Sequence, residues 1–173
     1  MDKKFDVGTI DFAVYEDADE FVGIAQVTLP DRNQKTIQIE GAGIGGTVTF
    51  PVPGQYDAME MAFEFKAFSK KVARMREHRM HTISLYIAQA AEDTVAGRVF
   101  TESVKIVLVV VPQGTTGGTV KPASSSDTKV KVAVRSIAIY IGGELVDEVD
   151  QLNRRDVVNG IDYGAEVRKA LGQ

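Results

Sequence analysis

Thr36-Ile37-Gln38-Ile39-Glu40 leads into Gly41-Ala42-Gly43-Ile44-Gly45-Gly46, then Thr47-Val48-Thr49-Phe50 and Pro51-Val52-Pro53-Gly54, and ends in Met59-Glu60-Met61-Ala62-Phe63-Glu64-Phe65. Both ends alternate in polarity. Ile37 and Ile39 oppose Thr36, Gln38 and Glu40, while Met59, Met61, Phe63 and Phe65 oppose Glu60, Ala62 and Glu64, so each end reads as a strand with one dry and one wet, acidic face. The glycines and prolines between them weaken a sheet ladder. Residues 36–65 therefore read as a strand, a mobile protruding connection and a second strand, a hairpin that serves as an assembly arm.

Outside this stretch the composition sets limits. A chain of 173 residues, 44% hydrophobic, buries a sizeable core as one domain spanning residues 1–173. With 24 acidic and 20 basic residues the net charge is −4, which gives no general grip on nucleic acid phosphates. There are no cysteines, so disulfides and thiolate zinc sites are excluded. The charged start Met1-Asp2-Lys3-Lys4-Phe5-Asp6 lacks a signal-like apolar run, and no stretch is long enough to span a membrane. A soluble cytosolic product is expected.

Ile10–Tyr15 and Phe21–Leu29 are β-rich runs around Glu16-Asp17-Ala18-Asp19-Glu20, whose charges suit an exposed turn, and Pro30 ends this first hairpin. After Phe65 the period changes. Phe65, Phe68, Val72 and Met75 recur at three- and four-residue spacing, predicting one amphipathic helix over 66–78 that Ser69 does not interrupt. Thr82–Gln89 alternates again, and Val99–Val111 is a long strand whose closing Val107-Leu108-Val109-Val110-Val111 reads as covered on both sides. Residues 112–129, rich in Gly, Ser and Thr, have the composition of a flexible loop that buries nothing.

In Val130–Ile141 the valines at 130, 132 and 134 and the isoleucines at 137, 139 and 141 fall in opposite phases, which predicts a bulge near Arg135 and Ser136. Gly142-Gly143 is a two-residue hairpin turn into Glu144–Val149. Asn159-Gly160 turns into a short helix over 162–171, with Asp162 as its N-cap and Gly172 as its stop.

No catalytic or metal site emerges. Gly41 to Gly46 satisfies the letters of a dinucleotide fingerprint, yet β-branched Thr47-Val48-Thr49 follows where a helix must begin. His78 and His81 lack a third ligand and sit among Arg76 and Arg79, so they read as two partly exposed histidines near a helix end. No serine lies on a strand-to-helix elbow, and the carboxylates Glu60/Glu64 and Asp147/Glu148/Asp150 read as solvated faces. The residues point to a β-rich domain with protruding segments and no cofactor.

Val27-Thr28-Leu29-Pro30, the glycine run and Ala58-Met59-Glu60-Met61 before a helix resemble the major tail tube proteins of contractile-tailed phages and R-type bacteriocins. Glu148-Val149-Asp150-Gln151-Leu152-Asn153, Val158-Asn159-Gly160-Ile161-Asp162 and Val167-Arg168-Lys169-Ala170-Leu171-Gly172 resemble that family's closing segment. The resemblance implies a mainly β (α+β) fold, a single-domain antiparallel β-barrel or sandwich with one flanking helix. It further implies a non-enzymatic subunit of stacked homo-hexameric rings, in a virion tail assembled in the bacterial host cytoplasm. Partners would be further copies, a tail sheath protein, and baseplate or initiator and terminator proteins.

Under this resemblance the arm residues Gly41, Gly43, Ile44, Gly45, Gly46, Pro51, Pro53 and Gly54 reach the next ring. Gln38, Glu40, Glu60 and Glu64 face the channel, where like charge lets DNA pass without being held. The tube of a headless bacteriocin or a type VI-like secretion system is the alternative. A monomeric enzyme or carbohydrate-binding β-sandwich is a third reading, which lacks an identifiable pocket. Long strands with few edge-blocking charges favour assembly independently, because ring closure uses edges that otherwise invite aggregation.

Overall fold

The computed structural model describes residues 4–17, 19–21 and 23–173. Among them ten strands form one antiparallel sheet whose spine is β7 (His81–Asp93), β8 (Arg98–Thr116) and β9 (Thr128–Ile141). β1 (Lys4–Glu16) pairs along the other edge of β7, with β2 (Asp19–Glu20) closing on Tyr15 and Glu16. The other edge of β9 is shared. β6 (Met59–Phe65) takes Thr128–Val134, and β10 (Glu144–Asp150) takes Ser136–Ile141.

Arg135 falls between the two partners. The register with β8 passes from Val109↔Ser136 to Val110↔Val134, so Arg135 is the extra residue of the bulge that the change of phase predicts. Gly142 and Gly143, at φ 57° and 88°, make the two-residue turn into β10, a geometry in which both central residues need positive φ.

β3 (Ile24–Thr28) pairs outside β6, while β11 (Arg155–Val158) and β12 (Ile161–Asp162) extend the sheet beyond β10. The sheet path ends at β12 on one side and β2 on the other, so the expected barrel is not closed. One face of the sheet gathers the core, with Phe63, Leu108, Val110, Val130 and Val132 at 0% exposure. Each large apolar side chain buried there contributes about 1.5–3 kcal/mol. Val107, Val109 and Val111 on the opposite face of β8 are only half-buried, so that strand is not covered on both sides as its composition suggests.

Several local expectations are corrected. The helix α1 spans Lys70–Met75, not 66–78. Ser69 is its N-cap, its hydroxyl accepting from the Val72 N–H, while Phe65 stays in β6 by pairing with Thr128 and Phe68 is exposed. The helix α2 spans Ala165–Ala170 rather than 162–171. Asp162 instead lies in β12, accepting from Arg168 Nη2 at 2.6 Å and the Gly164 N–H at 2.9 Å. The Arg168 guanidinium, then those backbone N–H groups, hold its carboxyl below the usual range against the opposing effect of burial.

β8 runs on to Thr116 and β9 starts at Thr128, which shortens the 112–129 segment to a connection over 117–127. Ser126 N–H donates to the Lys66 carbonyl at 2.7 Å and Thr128 is buried, so this segment is not bare of burial.

The first hairpin also differs. β3 pairs with β6 rather than β1, and Glu16 is no exposed turn residue but 1% exposed. Its carboxylate meets Arg74 Nε and Arg79 Nη2, each at 2.8 Å, and His81 Nδ1 at 2.5 Å. His81 is fully buried, unlike exposed His78, and its Nε2 lies 3.0 Å from the Glu77 carbonyl. Both ring nitrogens thus lie within hydrogen-bond distance of an oxygen. The cluster ties the end of β1 to α1 and the start of β7.

Removing Glu16 takes the carboxylate from fully buried His81 and from the partly exposed Arg74 and Arg79 at once. Glu16→Ala should therefore lower unfolding stability by about 3 kcal/mol, read as a fall in the urea midpoint. An unchanged midpoint would contradict this role.

Candidate assembly interface

β3 and β6 are neighbours in the sheet, so the chain between them must leave and return at one place. It does so as β4 (Gln34–Ile39) and β5 (Val48–Tyr56), which form a separate two-stranded sheet. The strand at Thr36–Glu40 was expected to share its hairpin with Met59–Phe65. It pairs instead with the segment between, Ile37 opposite Phe50 and Ile39 opposite Val48. The reason is edge occupancy: β6 is flanked by β3 and β9 and has no free edge. Pro51 and Pro53 lie inside β5, which a two-stranded ribbon tolerates because one edge of each strand has no partner to donate to.

Every residue from Asn33 to Pro51 is exposed. Ile37 is 55%, Ile39 43% and Phe50 50% exposed, so the expected core-facing side of the first strand is uncovered in the single chain. Its alternation is real, but nothing among the described residues covers it. At the tip the Ile44 N–H donates to the Gly41 carbonyl at 3.1 Å, and β5 rather than a helix follows Gly45 and Gly46. The dinucleotide geometry is therefore missing.

The root of the arm is fixed. Arg32 forms an ion pair with Asp147, and Tyr56 Oη donates to Asp156 Oδ1 at 3.0 Å. The Asp57 N–H donates to the Asn33 carbonyl at 2.9 Å, and Gln151 Nε2 to the Asp57 carbonyl at 3.0 Å. Burial raises the Tyr56 hydroxyl pKa, with the Asp156 carboxylate adding to the effect. Asp156 is itself 3% exposed. Sequence reasoning missed Arg32, Tyr56, Asp147 and Asp156, since contacts spanning 100 residues or more leave no trace in local spacing.

The four polar residues expected along a channel fall into two groups. Gln38 and Glu40 are exposed on the arm, while Glu60 and Glu64 project from the face of β6 opposite Met59, Met61, Phe63 and Phe65. Glu60 accepts from Gln113 Nε2 at 2.6 Å, and Glu64 pairs with Lys129 Nζ at 3.0 Å. With Lys131 opposite Ala62, the face of β6 and β9 is a mosaic of charges rather than a purely acidic one. Among the described residues no three His, Asp or Glu side chains converge as metal ligands, and no helix is long and apolar enough to cross a membrane.

Comparison with solved structures finds the same fold at low identity. The sheath/tube terminator of an extracellular contractile injection system (PVC), in its extended state, matches at TM-score 0.56 and 10% identity, over 79% of this chain and 97% of that one. The sheath-tube complex of PVC matches at TM-score 0.53 and 13% identity, over 75% and 87%. The tube-terminating cap of the anti-feeding prophage matches at 0.51 and 16%, over 79% and 91%. No curated protein sequence matches. The family described as phage tail tube protein FII matches residues 9–172, nearly the whole chain. On that match the chain belongs to the phage tail tube protein FII family, a family of structural tube subunits.

Proposed function

We propose that this chain is the repeating subunit of the inner tube of a contractile phage tail, closing into hexameric rings that stack around a channel for DNA. The observation that carries this reading is the arm, a hairpin with a fixed root and no apolar cover of its own. Monomeric proteins rarely leave such surface bare, and a neighbouring ring is the natural cover for it. Gly41, Gly43, Ile44, Gly45, Gly46, Pro51, Pro53 and Gly54 make the ring-stacking contact. Gln38, Glu40, Glu60 and Glu64 face the channel, and the acidic balance of the chain lets DNA slide without being held.

The tail sheath encloses the tube, with baseplate or initiator proteins at one end and a terminator at the other. Assembly takes place in the bacterial host cytoplasm and the product resides in the virion. The subunit acts by geometry, without catalysis, cofactor or membrane.

Two experiments test this. Negative-stain microscopy across a concentration series should find rings at low and hollow tubes at high concentration for the wild type. Ile37→Thr/Phe50→Thr, β-compatible polar residues at positions already exposed, should keep monomer stability within about 0.5 kcal/mol and lose stacking. A wild-type chain that stays monomeric at every concentration and with an initiating baseplate present overturns the proposal. Gly43, at φ 89°, needs a backbone conformation that valine rarely adopts. Gly43→Val should accordingly spare ring closure and abolish stacking, whereas tubes of wild-type length would remove the tip from the contact.

A further inference from the structure

β7 connects two poles of opposite character. Its 13 residues, at about 3.3 Å each, span roughly 40 Å from the α1 pole to a tongue made by the ends of β1, β7 and β8. At the α1 pole the chain between Lys66 and Arg79 holds six basic residues and one acidic, and Glu16, Asp17, Asp19 and Glu20 pack against it, so its positive excess is carried by the cations those carboxylates do not reach. Arg74 and Arg79 are occupied by Glu16, Asp17, Asp19 and Glu77. Among the described residues Lys66, Lys70 and Arg76 enter no ion pair, and all three are exposed. Lys70 even sits in the first turn of α1, where a cation opposes the helix dipole, so helix stability does not explain it.

Exposed Phe68 (61%) and Met80 (57%) supply apolar anchors beside these cations. Next to them Arg76, His78, Gln113 and Thr115 line a cleft of about 140 Å³, large enough for a carboxylate side chain.

The tongue is complementary. Lys4 to Asp11 and residues 94–101 are exposed throughout, with Phe5 at 53%, Val99 at 68% and Phe100 at 36%. Asp6, Asp11, Glu92, Asp93 and Glu102 outnumber Lys4 and Arg98 there. An acidic, apolar end and a basic, apolar end on one molecule define a heterologous contact, which propagates rather than closing on itself.

We propose that copies of this chain also meet end to end along β7, the acidic tongue of one seated on the basic α1 pole of the next. The proposal rests on the tube reading, and its occupant is a second copy because the complementary charge and the apolar partners both lie on this same chain. The contact is distinct from the arm and is weakened by salt.

The test uses two charge-reversed variants of the full chain, Lys70→Glu/Arg76→Glu and Asp6→Lys/Glu92→Lys, all at exposed positions. Each alone should need at least about tenfold more protein to form tubes at low salt, since like charges then face each other. A one-to-one mixture of the two, each supplied as rings, should recover tubes near the wild-type concentration, because the reversed pole of one variant meets the reversed tongue of the other and the native ends meet each other. That recovery also proves both variants folded. Variants that polymerise like wild type, or that fail both alone and mixed, overturn this contact while wild-type tubes leave the tube reading standing. Absence of wild-type tubes would instead remove the tube reading itself.

Discussion

The organisation of this subunit depends on how one strand edge is shared. β9 offers a single edge to two partners in tandem, β6 along its first half and β10 along its second, with Arg135 bulged between them. Because Met59 pairs with Val134 and Asp150 with Ser136, the start of β6 and the end of β10 abut at that bulge. The chain entering β6 cannot continue along an edge that β10 already occupies. It must leave the sheet there, and it leaves as the arm. The same junction supplies the root contacts, since Gln151 N–H reaches the Arg135 carbonyl at 3.2 Å and its side chain reaches the Asp57 carbonyl. A backbone pairing rule thus decides where the protruding element stands and what steadies it.

On the proposed reading, the arm carries the free energy of assembly in an uncovered form. Ile37, Ile39, Val48 and Phe50 remain exposed in the single chain, although the alternation of β4 is that of a strand built to bury one side. Apolar surface of this kind contributes about 25 cal/mol per Å² only when something covers it. The two-stranded ribbon also leaves open edges, and prolines at 51 and 53 remove donors from β5, which leaves β4 as the better-equipped edge for backbone pairing. A rigid root with an uncovered blade suits a protein that must stay soluble as a subunit and become rigid as a polymer.

Much of this was legible in the sequence where the cause is local. The β6 alternation, the Gly142-Gly143 turn and the phase change at Arg135 each express a rule acting over a few residues, and each is found in place. Where partners are distant the reading failed. Ile37 and Ile39 have the same pattern as Met59 and Met61, but pattern fixes only that a side is meant to be covered, not whether the cover is in the same chain. Glu16 looked solvated because its run is acidic, and its burial depends on Arg74, Arg79 and His81 more than fifty residues away. Ser69 and Asp162 were misread as mid-helix and cap because capping is decided by backbone angles that flanking strands impose. The resemblance led to the family that the sequence match shows, while the function within it and the channel-facing roles of Gln38, Glu40, Glu60 and Glu64 belong to the proposal.

The central claim is that the arm is uncovered in the subunit and covered in the assembly. Amide hydrogen exchange, followed residue by residue in free subunits and in assembled tubes, measures this directly. The account predicts that Ile37, Gln38, Ile39 and Phe50 exchange at least about tenfold more slowly in the tube, while core amides of β7 and β8 change little. Equal exchange of the arm in both states would contradict it and place the assembly contact elsewhere on the molecule.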